Sequence, residues 1–119
     1  PVNQFCARFL GATLTIQGHN DGQLIRTVAG TFNASPNHPI GDVQVLVRPE
    51  SLTVRPGEGR YEVLHRHFVG AHTLVDLVDS QAQFPDLQVL VPTEQTQALA
   101  AGQSVTLLSL QEQPLLVVA

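Results

Sequence analysis

The sequence predicts an all-β domain, a small barrel or sandwich, on three observations. Apolar stretches of strand length recur at intervals of about 8–14 residues along most of the chain. Clusters of Gly, Pro, Asn and Asp divide them, and these residues set the special backbone angles of turns. Hydrophobic content of 43% against 13% charged residues is enough to fill a core, and with only five Phe and one Tyr that core is aliphatic.

The elements follow in order. Val2, Phe5, Cys6, Phe9 and Leu10 recur at helical spacing before Gly11, which predicts a short N-terminal amphipathic helical segment. Strands are predicted at 13–17 (TLTIQ), 23–28 (QLIRTV), 42–48 (DVQVLVR), 51–54 (SLTV) and 60–69 (RYEVLHRHFV). Four more are predicted at 72–79 (HTLVDLVD), 87–91 (LQVLV), 104–110 (SVTLLSL) and 115–118 (LLVV). GHNDG (18–22), ASPNHPIG (34–41), RPGEG (55–59), Gly70 and SQAQFPD (80–86) read as the turns between them. PTEQTQALAAGQ (92–103) is the interior helix candidate, opening at Pro92-Thr93 and closing at Gly102.

The stretch 42–54, DVQVLVRPESLTV, is the most informative. Val43, Val45 and Val47 share one face of a strand. Pro49 has no N–H to give a ladder, so the strand ends, bulges or lies at an edge there, and Leu52 and Val54 resume the alternation. That is a bent strand, as at a barrel corner. Arg48 and Glu50, two apart, can project to one side and pair. A surface pair of that kind contributes only ~0–1 kcal/mol, which leaves contact with another domain or subunit as the second reading of the corner.

Composition excludes several functions. All six Lys+Arg positions are Arg, so there is no P-loop lysine, Schiff-base lysine or lysine general base. The single Cys6 gives neither an internal disulfide nor a cysteine zinc cluster, and in its apolar setting reads as a small buried residue. A net charge of −4 with no basic stretch argues against nucleic acid and anionic lipid. No apolar run approaches the ~20 residues that span a bilayer, and the start lacks the basic region of a signal peptide. The expectation is a cytosolic chain without direct membrane insertion, and one that begins at Pro1 because it is cut from something longer.

His65, His67 and His72 form the one metal-site candidate. His65 and His67 share a strand face, and a hairpin at Gly70 brings His72 towards them. The plainer reading is three solvent-facing histidines on an edge hairpin. Iron(III), a hard ion, would look instead to carboxylates, of which Glu62 and Asp76 are nearest. Asp76 and Asp79 fall on opposite strand faces and do not make the paired carboxylates of a hydrolase; Asp76 reads as an ion-pair partner. No Ser sits in a nucleophile elbow, and Ser51 reads as a turn cap. No catalytic residue is expected. The apolar residues Leu107, Leu108, Leu110 and 115–118 exceed what one face of an edge strand buries, so either both faces are covered or part lies against a partner.

Four stretches in order resemble the C-terminal TOBE (transport-associated OB) domain of ABC importer ATPases. They are VLVRPESLTV with Arg48-Pro49-Glu50, the turn Phe68-Val69-Gly70, Gly102 followed by Val105 and Leu107, and the opening PVNQFCARFLG. In the last, Pro1, Asn3, Phe5, Ala7, Phe9 and Gly11 match the segment that follows a nucleotide-binding domain, with Cys6 in the usual valine place. The resemblance implies an OB-like barrel or sandwich over 12–119, with 1–11 as the tail of the preceding segment. It also implies a regulatory or dimer-stabilising part, with Arg48, Pro49, Glu50 and Gly70 as its structural or interface motif.

The partners so implied are the chain's own nucleotide-binding domain, a second copy of the ATPase subunit and the permease, on the inner face of the cell membrane. ATP and Mg are expected for the parent ATPase only; this fragment, with no P-loop, is expected to hold no cofactor site and no enzymatic activity of its own. The short stretch before Arg48 resembles the iron(III)-type importers, with another small solute as the second choice. The alternative function is a free-standing OB-like module binding a small oxyanion, with Arg48 and Arg66 as donors, or a metal.

Overall fold

The computed structural model describes residues 13–119; the helical segment expected over 2–10, Cys6 and the proposed tail 1–11 lie outside them. β1 (Leu14–Asn20), β2 (Leu24–Thr27), β3 (Gly30–Asn33) and β4 (Gly41–Val47) belong to one antiparallel sheet, which β9 (Leu116–Val118) completes in the order β3-β2-β1-β4-β9. The second sheet has the order β7-β6-β5-β8, from β5 (Leu52–Val69), β6 (His72–Asp79), β7 (Leu87–Pro92) and β8 (Ser104–Ser109). The two sheets curl into a half-barrel, so the fold is all-β and OB-like.

The corner at 48–51 joins the sheets. Val43, Val45 and Val47 are buried, as the alternation requires. Pro49–Ser51 then forms one 3-10 turn, with Pro49 buried and Ser51 N donating to Arg48 O (3.0 Å). Leu52 opens a strand of the other sheet. The change of strand is therefore a change of sheet, which a proline permits because the ladder is already interrupted.

The stretches expected as two strands, 51–54 and 60–69, are one 18-residue strand, β5. RPGEG does not turn the chain back. Pro56 and Tyr61 both pair with Val105 of β8, so residues 57–60 loop out as a large bulge. Gly59 permits this, since a Cβ there would lie 1.9 Å from Val105 O.

β3 was not legible as a strand: of its four residues only Phe32 is a buried apolar one, too little to show a period. The helix expected over 92–103 is a single 3-10 turn, Thr93–Thr96, with Thr96 Oγ1 donating to Thr93 O (2.7 Å). Leu99 is buried beyond it, and Gly102 N returns to Val63 O (2.7 Å) to start β8. Pinning of the chain to β5 there replaces helix propagation.

The core lies between the sheets. Ile25, Phe32 and Val45 meet Val63, Leu77, Val89 and Val105, all buried. Burial of such side chains contributes roughly 1.5–3 kcal/mol each. Asn20 is the buried polar staple of the first sheet, its Nδ2 donating to Pro39 O (2.7 Å) and its Oδ1 accepting from Gly22 N (2.9 Å).

Candidate functional site

Gly70, with φ +79°, starts a two-residue turn between β5 and β6 of the kind that takes glycine first. The turn fixes the register. Val69 lies opposite His72, His67 opposite Leu74, and His65 opposite Asp76. Directly opposed residues in an antiparallel pair share a face, so His65, His67 and Asp76 stand on the same side of the sheet. That side faces away from the core, which takes Val75 and Leu77 from β6.

Further along β5 the phase changes. Tyr61 and Val63 point into the core opposite Asp79 and Leu77. Strict alternation from them would carry His65 and His67 inward too. A bulge between Val63 and His65 absorbs one residue, Leu64, and turns both histidines out. Leu64 is left 45% exposed, the local price of that phase change.

The three side chains converge. Asp76 Oδ2 lies 2.8 Å from His67 Nε2 and 3.8 Å from His65 Nδ1. The imidazole rings are 6.2 Å apart between centroids, and the three ligand atoms lie within 4.8 Å of one another. The other oxygen of Asp76 accepts a hydrogen bond from Gln88 Nε2 on β7 at 2.6 Å. The cluster thus spans three neighbouring strands, with its histidine side chains 64% and 44% exposed and Asp76 20%. Val69, Leu74 and Leu90 pack as a small apolar group on the same face.

His72 does not belong to this group; it caps the far end of β6, opposite Val69 and Pro92. Asp76 stands in the place expected for His72. The register that brings Asp76 there comes from the folded hairpin. Neither it, nor the bulge at Leu64, nor the contact from Gln88 was legible.

Comparison with family models and with curated proteins returns no match. The chemistry is read from the residues themselves.

A second place is the sheet-switching corner. A groove of about 560 Å³ runs between the start of β5 and the end of β7, lined by Glu50, Leu52, Arg55, His72, Leu90 and Leu110. Glu50 does not pair with Arg48. Its Oε1 is buried with no hydrogen-bond partner among the described residues, and the two residues differ in exposure: Arg48 is exposed and Glu50 half-buried. Ser51 caps the turn as expected, its Oγ donating to Arg48 O (2.7 Å). Leu110, Leu115 and Leu116 remain at least half exposed, while Leu107 and Val117 are buried.

The two candidate oxyanion donors do not share a site. Arg48 stands at the corner, whereas Arg66 on β5 donates from Nη1 to Leu99 O (2.5 Å) and lies over the Phe68 ring.

The displaced titrations lie elsewhere and are structural. Burial pushes the Tyr61 hydroxyl up to about 12, aided by the nearby Asp79 charge. Burial also pushes Asp79 up, but the amides of Gln81, Phe84 and Gln83 and the Arg60 guanidinium outweigh it and hold the carboxyl at about 2. Asp21 is lowered by the Leu24 and Gln23 amides and Arg26, which together lock the β1–β2 turn. The Tyr61 shift comes from burial and the two carboxylate shifts from hydrogen bonds that hold turns, and among the described residues none of the three belongs to an acid/base pair poised in a cleft.

Proposed function

We propose that the chain is an accessory OB-like domain of an ABC importer ATPase subunit, regulatory or dimer-stabilising, serving an iron(III)-type or other small-solute importer. The observation that carries the reading is where the resembling stretches fall. Arg48-Pro49-Glu50 sits where the chain passes between sheets, Phe68-Val69-Gly70 at the β5–β6 turn, and Gly102 at the entry to β8, whose Val105 and Leu107 face the core. These are the positions at which a sequence pattern is tied to backbone geometry rather than to surface chemistry.

The corner supports a contact role. The Glu50 oxygen, which has no hydrogen-bond partner among the described residues, and the exposed Leu110 line one groove; a partner supplying an N–H or cationic group together with apolar surface would satisfy both. That partner would be the chain's own nucleotide-binding domain or a second copy of the subunit, with the permease reached through the parent. ATP and Mg would be bound by the parent and not by this lysine-free part.

The test is the coding sequence upstream of Pro1. A P-loop lysine and an ABC signature within roughly the preceding 240 residues, the size of one large domain, are expected. A natural start close to Pro1 would overturn the reading. Sedimentation of the 119-residue chain is expected to show at most weak dimerisation, because other parts of the transporter would supply most of the contact.

A further inference from the structure

We propose that His65, His67 and Asp76 form a surface binding site for a divalent first-row transition metal of the zinc type, with solvent water completing the coordination. The inference stands apart from the importer reading, and neither requires the other.

The donor set selects the metal. Two imidazole nitrogens and one carboxylate suit Zn²⁺, Co²⁺ and Ni²⁺, whereas Mg²⁺, Ca²⁺ and Fe³⁺ favour sites made of oxygen. Bonds of about 2.1 Å at tetrahedral angles set ligand atoms about 3.4 Å apart. The observed separations of 2.8 and 3.8 Å from Asp76 bracket that value, and all three atoms already lie within 4.8 Å. Small side-chain rotations on fixed strands bring them to it. All three ligands approach from the sheet, which leaves the solvent side open for water.

Two features point to a ligand rather than to incidental surface ion pairs. Gln88 holds the second oxygen of Asp76 at 2.6 Å, the outer support that orients a ligating carboxylate. The bulge at Leu64 places both histidines on the face that carries Asp76, and leaves a leucine exposed in doing so. Bulges that re-aim side chains in this way cluster beside functional sites.

Titration of the chain with Co²⁺, followed by visible absorption, and with Zn²⁺ by calorimetry tests the proposal. Saturable binding of one equivalent is expected. His65→Ala, His67→Ala and Asp76→Asn should each remove it. Gln88→Ala should weaken it on the order of 10–100-fold, and His72→Ala should change it by no more than about twofold, the scatter expected of a residue that makes no contact with the metal. The ligand side chains are on the surface, and circular dichroism verifies that each variant is folded. Absence of saturable binding in the folded wild-type chain would overturn the proposal. So would equal loss on His72→Ala, which marks diffuse chelation by surface histidines, or retention in the His65→Ala and His67→Ala variants. Displacement of Co²⁺ by equimolar Mg²⁺ would overturn the metal class.

Discussion

Arg60 Nε lies 3.0 Å and 3.1 Å from the two carboxylate oxygens of Asp79, and its guanidinium carbon is 4.3 Å from the Phe84 ring centroid. This pair closes the β6–β7 loop. Asp79 also accepts from the amides of Gln81, Gln83 and Phe84 at 2.8–3.0 Å, so a buried charge is fully satisfied. Its folded-state pKa, about 2, lies below the ordinary 3.8. The stabilisation is therefore complete above pH 3.8 and is lost as pH falls towards 2. Asp79→Asn should flatten the pH dependence of thermal unfolding across that window and lower the midpoint at neutral pH by roughly 5–15 °C. An unchanged midpoint would show that the loop does not depend on the carboxylate.

Tyr61 is the sole tyrosine, and there is no tryptophan, so its ionisation can be followed by ultraviolet absorbance without background. Its hydroxyl donates to Pro85 O at 3.2 Å. The folded protein should ionise with a midpoint near 12, against 10.0 for the free group. Because the neutral form is favoured by folding, this contribution is complete below pH 10 and is lost as pH rises through 12. A midpoint near 10 in still-folded protein would contradict the burial seen here.

Two glycines of β5 and its turn should respond differently to alanine. At Gly59 the new Cβ would meet Val105 O at 1.9 Å and Val105 C at 2.8 Å, both backbone atoms that cannot swing aside. Gly59→Ala should cost more than about 3 kcal/mol in denaturant unfolding. At Gly70 nothing lies within 4 Å and only the positive φ opposes a side chain. Gly70→Ala should cost about 1–2 kcal/mol. Equal effects would mean that the β5–β8 bulge is not held at this separation.

Glu50 offers a test of the corner. With its Oε1 unpartnered among residues 13–119, Glu50→Gln should be neutral or raise the stability of this chain by about 1 kcal/mol. A clear loss would place a hydrogen-bond partner outside those residues.

The alternation of Val43, Val45 and Val47 and the turn residues around them made most strands and the all-β class legible. What stayed hidden depends on contacts between distant segments. Phe32 defines β3 only because a neighbouring strand pairs with it. The 57–60 bulge looks like a turn until Val105 is opposite both Pro56 and Tyr61. For the cluster, the sequence put His65 and His67 on one strand face and a hairpin at Gly70, but it read Asp76 only as an ion-pair partner; the register that sets Asp76 opposite His65 comes from the folded hairpin. His72 was drawn in by its closeness in sequence, while Gln88 arrives from a third strand that no local pattern connects to the other two.

β5 draws its closing neighbour, β8, from residues 104–109, and β4 draws its own, β9, from residues 116–118. Each sheet begins as a hairpin meander and is finished by a strand that arrives much later in the chain. During synthesis the meanders emerge first, and β4 and β5 wait with bare hydrogen-bonding edges until the ribosome has released the closing strands. Non-local pairings of this kind are slow to form, and a waiting edge can recruit another chain. Interruption of translation before Ser104 would leave both sheets open at once.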